Sequence, residues 1–136
     1  TNIAGFNDYG CRDMTLRPDA GRYECGTLNT IGIYGLRAAF DLLQEAGMET
    51  VSKAVLSLSE QIARGAEAQG YQCLVPHSPE TGSGIVSVRK EGLDCEELVS
   101  RLRSQGVTAS PRQGWLRLSP HFYVTANEID RVLGML

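Results

Sequence analysis

Apolar residues recur along the chain at two periods, one helical and one alternating, and between them they predict eight elements. After Gly26-Thr27-Leu28-Asn29, Ile33, Leu36, Phe40 and Leu43 repeat at helical spacing, with Ala38, Ala39 and Leu42 widening the stripe. Thr27 or Asn29 supplies the N-cap oxygen, and Gly47 stops the helix where a positive φ is needed. A helix this apolar is expected to be covered on most sides. A second helix begins near Glu49, carries Val51, Val55, Leu58, Ile62 and Ala66 on one stripe, and ends at Gly70. Residues 71–75 and 84–89 read as short strands, joined by a loop through Pro76, Pro79 and Gly82. The third helix has the strongest start signal: Asp94 as N-cap, Glu97 closing a capping box, and Leu93 with Leu98 as a hydrophobic staple. Its Cys95, Leu98, Val99 and Leu102 face the core, and Gly106 terminates it. Residues 107–110 form a strand, residues 111–114 a turn, and residues 115–119 a further strand. The last helix repeats the capped start with Thr125, Glu128 and the Val124/Ile129 staple, and buries Ile129, Val132, Leu133 and Leu136.

The order is therefore helix, helix, strand, strand, helix, strand, strand, helix. Short strands joined by tight turns, with helices gathered on one side, make an α+β domain with a small, mostly antiparallel sheet. Such a sheet can leave its second face open. Period 2 in the segment Trp115-Leu116-Arg117-Leu118-Ser119 sends Leu116 and Leu118 toward the helices and Trp115, Arg117 and Ser119 the other way. Leu116, Leu118, Leu98, Leu102, Ile129 and Leu133 are expected to share one core. The Arg117 guanidinium must then meet water, a partner surface or an anionic ligand.

Residues 1–28 are rich in Gly, Asp and Arg, with isolated apolar residues at Ile3, Phe6, Tyr9 and Met14. Arg17-Pro18-Asp19-Ala20-Gly21 reads as a turn, and residues 22–25 as a possible short strand. This segment reads as a connector. With Thr at its first position and no periodicity of its own, it looks like a cut through a longer protein.

At 136 residues the chain has the size of one domain. A formal charge of −3 gives no electrostatic case for nucleic acid, and no apolar run approaches a membrane span. The four cysteines, Cys11, Cys25, Cys73 and Cys95, are dispersed, without CxxC or metal-ligand spacing, and suit a reducing cytoplasm as small thiols. His77 and His121 are too few and too far apart in sequence to suggest a metal site.

Three groups of residues carry candidate chemistry. Gly26-Thr27, just before a helix, offers a hydroxyl and free N–H groups to an anion, or is only a cap or turn. Arg112 and Arg117 flank a tight turn, where two planar forks would converge on a carboxylate, or stand as surface arginines. Ser119 and His121 have no partner acid within reach in sequence and no nucleophile-elbow context, which speaks against a serine hydrolase. Tyr123 reads as a buried aromatic at the start of the last helix.

The segment Arg22-Tyr23-Glu24-Cys25-Gly26-Thr27-Leu28-Asn29 resembles the E-x-G-T-x-N segment of the class V aminotransferase family, pyridoxal-phosphate enzymes of fold type I. Gly106-Val107 through Ser110-Pro111-Arg112, followed by Leu116-Arg117-Leu118-Ser119-Pro120-His121-Phe122-Tyr123, is similar to that family's closing pattern, G-I-x-V-S-x-R and L-R-I-S-P-H-x-Y-N-T. The resemblance runs from about Arg22 to Leu136 and matches the family's C-terminal small domain. It implies residues 29–136 as that domain and residues 1–28 as a connector from a missing N-terminal large domain. It also implies pyridoxal 5'-phosphate as cofactor, an α-amino acid as substrate, and a homodimer. Thr27, with Gly26, would hold the cofactor phosphate of the neighbouring subunit. Arg117 would bind the substrate α-carboxylate, with Arg112 lining the same mouth. The family's cofactor-bearing lysine lies upstream, and neither Lys53 nor Lys90 has its surroundings, so the chain alone is expected to be inactive.

Two departures refine this. The desulfurase and selenocysteine lyase branches carry a reactive cysteine just before the arginine strand, where this chain has Pro111-Arg112-Gln113-Gly114-Trp115. That points to the transaminase, epimerase or lyase branches. Val124 stands where the family often has Asn, so any polar contact of that Asn is lost. A free-standing carboxylate-binding module and a dimerisation domain without a ligand stay open beside the enzyme.

Overall fold

The computed structural model describes residues 3–5, 7–10, 12–24, 26–78 and 80–136. Its elements follow the expected order: α1 (Thr30–Ala46), α2 (Met48–Ala68), β1 (Gln72–Cys73), β2 (Val86–Arg89), α3 (Cys95–Ser104), β3 (Ser110–Arg112), β4 (Trp115–Leu118) and α4 (Ala126–Leu133). The chain divides into two compact units, residues 1–42 and residues 43–136.

In the first unit, the turn expected at residues 17–21 is present. Asp19 accepts from the Gly21 amide at 2.9 Å, pairs with Arg17 at 3.0 Å, and caps a single 3₁₀ turn, Ala20–Tyr23. Arg22 and Tyr23 are therefore in that turn and not in a strand, because the cap draws the backbone into a tight coil. Cys25, the end of the expected strand, lies outside the described residues, as do Phe6, Cys11 and Pro79. Asn29 is the cap of α1: its side-chain oxygen accepts from the Gly32 amide at 2.9 Å. No residue of α1 is buried, and Ile31 and Tyr34 are 85% and 78% exposed. The expectation of a covered helix is not met among the described residues.

In the second unit, Gly47 sits at φ 80° between the first two helices and Gly70 at φ 83° after the second, both as expected. All four strands form one antiparallel sheet in the order β1-β2-β4-β3. Val86 and Val88 of β2 and Leu116 and Leu118 of β4 face Leu58, Ile62 and Ala66 of α2, Leu98 and Leu102 of α3, and Ile129 and Leu133 of α4. All six residues expected to share a core do so. Fully burying an aliphatic side chain of this size contributes about 1.5–3 kcal/mol, so this face fixes the strand register. Gly65 lets α4 close on α2, since a side chain there would meet Leu133.

The strand expected at residues 107–110 is displaced toward the C-terminus. Gly106 at φ 80° and the Val107 amide, which donates to the Leu102 carbonyl at 3.0 Å, still belong to the exit of α3. The ladder begins only at Ser110, and Pro111 lies inside it. A proline is tolerated there because β3 is an edge strand. The turn is correspondingly reduced to Gln113-Gly114, with φ of 51° and 81°, the pair of positive angles that a two-residue hairpin requires. At α3, Asp94 accepts from both the Glu96 and Glu97 amides, at 2.8 and 3.2 Å, but Glu97 does not return the bond among the described residues. At α4 both halves of the capping box are made, through Thr125 and Glu128. Tyr123 is 74% exposed and stacks on His121, with ring centroids 4.9 Å apart. It lies on the solvent side of the loop, so the reading as a buried aromatic is corrected.

Candidate carboxylate-binding face and phosphate-binding turn

Because Leu116 and Leu118 are committed to the core, Arg117 emerges on the far face of the sheet. Its cross-strand partners are Ser87 on β2 and Ser110 on β3. On this central strand, between two small neighbours, Arg117 is half-buried. Among the described residues, no side chain forms a hydrogen bond or ion pair with Arg117.

One row along the same face run Gln72, Arg89, Trp115 and Arg112. Gln72 pairs with Arg89, and Trp115 pairs with Arg112. The Arg89 guanidinium lies 4.5 Å from the centre of the Trp115 ring, and its Nε donates to Gln72 Oε1 at 3.3 Å. Arg112 is exposed and donates from Nη1 to the Pro111 carbonyl at 3.1 Å. Arg112 and Arg117 thus share a face, one ladder step apart on neighbouring strands, as the turn between them implied. Arg89 was not singled out from the sequence. The alternation Val86-Ser87-Val88-Arg89 was the available signal, since it places Ser87 and Arg89 opposite the buried valines.

Gly26 and Thr27 belong to the first unit, three residues and more ahead of the first turn of α1. Thr27 is exposed, and Gly26 has φ +78° with nothing within 4 Å of where a Cβ would stand. A left-handed glycine beside an exposed hydroxyl suits one end of an anionic cofactor. Neither lysine suits the other end. Lys53 pairs with Glu49 at 2.7 Å on α2, and Lys90 donates to the Gln69 carbonyl at 2.9 Å and lies over the Tyr71 ring.

The described thiols are held toward their protonated form by burial. Cys73 faces the core opposite Val88, and burial, with the Glu67 charge second, pushes its pKa up to about 11. Cys95 is buried and likewise raised, first by burial. No group of three or more His, Cys, Asp or Glu able to hold a metal occurs among the described residues. A cavity of about 220 Å³, lined by Ile62, Leu118, Pro120, Ile129 and Val132 among others, lies on the helix side and does not involve Arg117.

Comparison with known proteins gives a consistent set. A sequence profile described as aminotransferase class-V matches residues 4–132. An uncharacterized aminotransferase, YcbU, of Bacillus subtilis (strain 168) is 30% identical over 114 residues, covering 84% of this chain and 30% of that protein. Isopenicillin N epimerase of Streptomyces clavuligerus is 32% identical over 127 residues, covering 88% and 32%. Among solved structures, the apo cysteine desulfurase of Thermococcus onnurineus NA1 superposes with a TM-score of 0.77 at 21% identity, covering 89% of this chain and 34% of the other. The chain thus spans about a third of the length of each of these proteins.

Proposed function

Since the chain belongs to the aminotransferase class-V family, we propose that it is the C-terminal domain of a pyridoxal-phosphate enzyme that acts on an α-amino acid by transamination, epimerisation or elimination. The observation that carries this reading is Arg117: half-buried, on a central strand, and without a partner among the described residues. Its planar fork would take the substrate α-carboxylate through two parallel N–H bonds and so fix the orientation of the α-carbon. Arg112 adds positive charge at the same mouth. The Thr27 hydroxyl, next to Gly26, would donate to the cofactor phosphate of the neighbouring subunit in a homodimer. The exposed apolar residues of α1 support a further protein surface against this region. The cofactor, when bound, supplies the electron sink for bond breaking at the α-carbon.

Relatives include proteins named as cysteine desulfurases, yet the two-residue hairpin before β4 has no thiol. Burial holds Cys73 and Cys95 toward the protonated thiol, which favours the non-persulfide branches. Their free thiols fit a reducing compartment such as the cytoplasm.

The test is spectroscopic. The complete enzyme, purified with pyridoxal phosphate, should change its visible absorbance on addition of one or more amino acids. The 136-residue chain alone should yield no borohydride-trapped cofactor on Lys53 or Lys90 by mass spectrometry. An enzyme that binds the cofactor but responds to no amino acid, or turnover by the isolated chain, would contradict the proposal.

A further inference from the structure

The open face carries more positive charge than one carboxylate requires. Arg89, Arg112 and Arg117 project from three neighbouring strands, and none of them is ion-paired among the described residues. The described ion pairs lie elsewhere, on Asp19 and on α1 and α2. Arg89 is also held in place. The Trp115 ring lies 4.5 Å from its guanidinium carbon, and Gln72 takes its Nε–H, so the two terminal nitrogens remain as donors. Diagonal neighbours on adjacent strands stand roughly 7–8 Å apart, a separation that a short dicarboxylate bridges between two arginine forks.

We propose that this face takes a substrate with two anionic ends, a dicarboxylic amino acid or its oxo acid, with Arg117 on the α-carboxylate and Arg89 on the distal one. The assignment rests on the reading of Arg117 as the α-carboxylate site and adds a specificity-determining residue to it. Trp115 then has two roles: it orients Arg89, and its ring forms the floor between the two anionic ends. A substrate with an apolar side chain would leave Arg89 without its anion and would be disfavoured.

Calorimetric titration of the 136-residue chain with glutarate, and with butyrate as the single-ended control, tests this at fixed ionic strength. Trp115, the one tryptophan in the sequence, gives a parallel fluorescence signal. Glutarate should bind about tenfold to a hundredfold more tightly than butyrate, the effect of one added charge-assisted contact. Arg89→Met, which keeps the apolar stem, should lower glutarate affinity to the butyrate level, and Arg89→Lys should recover part of the difference. Equal affinity for the two ligands, or an undiminished glutarate preference in Arg89→Met, overturns the dianion assignment while leaving Arg117 as a carboxylate site. The underlying reading fails, and this proposal with it, if neither ligand binds or if Arg117→Met binds both as the parent chain does.

Discussion

A guanidinium in a loop is fully hydrated, and its bonds to a carboxylate compete with bonds to water. Arg117 is placed differently, on an inner strand between Ser87 and Ser110, with both neighbouring positions along β4 fixed by buried leucines. Its direction is thus set by packing on the opposite face, and the period-2 reading of the segment was enough to foresee it. The same alternation decides the fate of Cys73. That thiol points inward, with Sγ 4.0 Å from the Ala63 carbonyl, and its pKa rises from the ordinary 9.0 to about 11. Only the thiolate alkylates, so Cys73 should be nearly unreactive to iodoacetamide at pH 8 and react progressively as pH approaches 11. The folded state favours the protonated thiol, so its contribution to stability is present below pH 9 and fades between about 9 and 11. Peptide mapping by mass spectrometry would reveal rapid modification at pH 8 if this placement were wrong.

The elements with strong local chemistry were legible, and those set by tertiary contact were not. Asp94 and Thr125 announce their helices because a cap needs only residues within one turn, and both caps form. The helical stripe of α1 was read correctly as a helix, but its covering was inferred from hydrophobicity, and no described residue buries it. β3 was misplaced because the exit of α3 consumes residues that otherwise look extended, and the ladder starts only where β4 lies alongside. The turn between β3 and β4 was read, but not as a two-residue hairpin, because Gln113 is not a residue that prefers φ of 51°. A left-handed conformation costs a side-chain-bearing residue roughly 1–2 kcal/mol, and asparagine lessens this. Gln113→Asn should therefore stabilise the domain by about 0.5–1 kcal/mol, seen as a higher denaturation midpoint. A lower midpoint would mean that the Gln113 side chain makes a contact outweighing its backbone strain.

For the molecule as a whole, the sequence carried the family in two short motifs, and the fold is of the α+β class expected from the element order. What the motifs could not reveal was the row Gln72-Arg89-Trp115-Arg112, because two of its four members, Gln72 and Arg89, come from strands outside both motifs. The two proposed roles fall in separate units of the chain, cofactor phosphate at Gly26-Thr27 and substrate carboxylate at Arg117. Their substitutions should therefore have separable effects. Lysine at position 117 keeps the charge but loses the paired N–H bonds, and each charged hydrogen bond contributes roughly 1.5–3 kcal/mol. Steady-state kinetics and cofactor titration of Arg117→Lys and Thr27→Ala in the complete enzyme measure this split most directly. Arg117→Lys should lower kcat/KM for amino acids about tenfold to a hundredfold with cofactor affinity retained, and Thr27→Ala should weaken the cofactor while sparing substrate discrimination. If Arg117→Lys instead loses cofactor and keeps near-normal kcat/KM, the assignment of the two sites is contradicted.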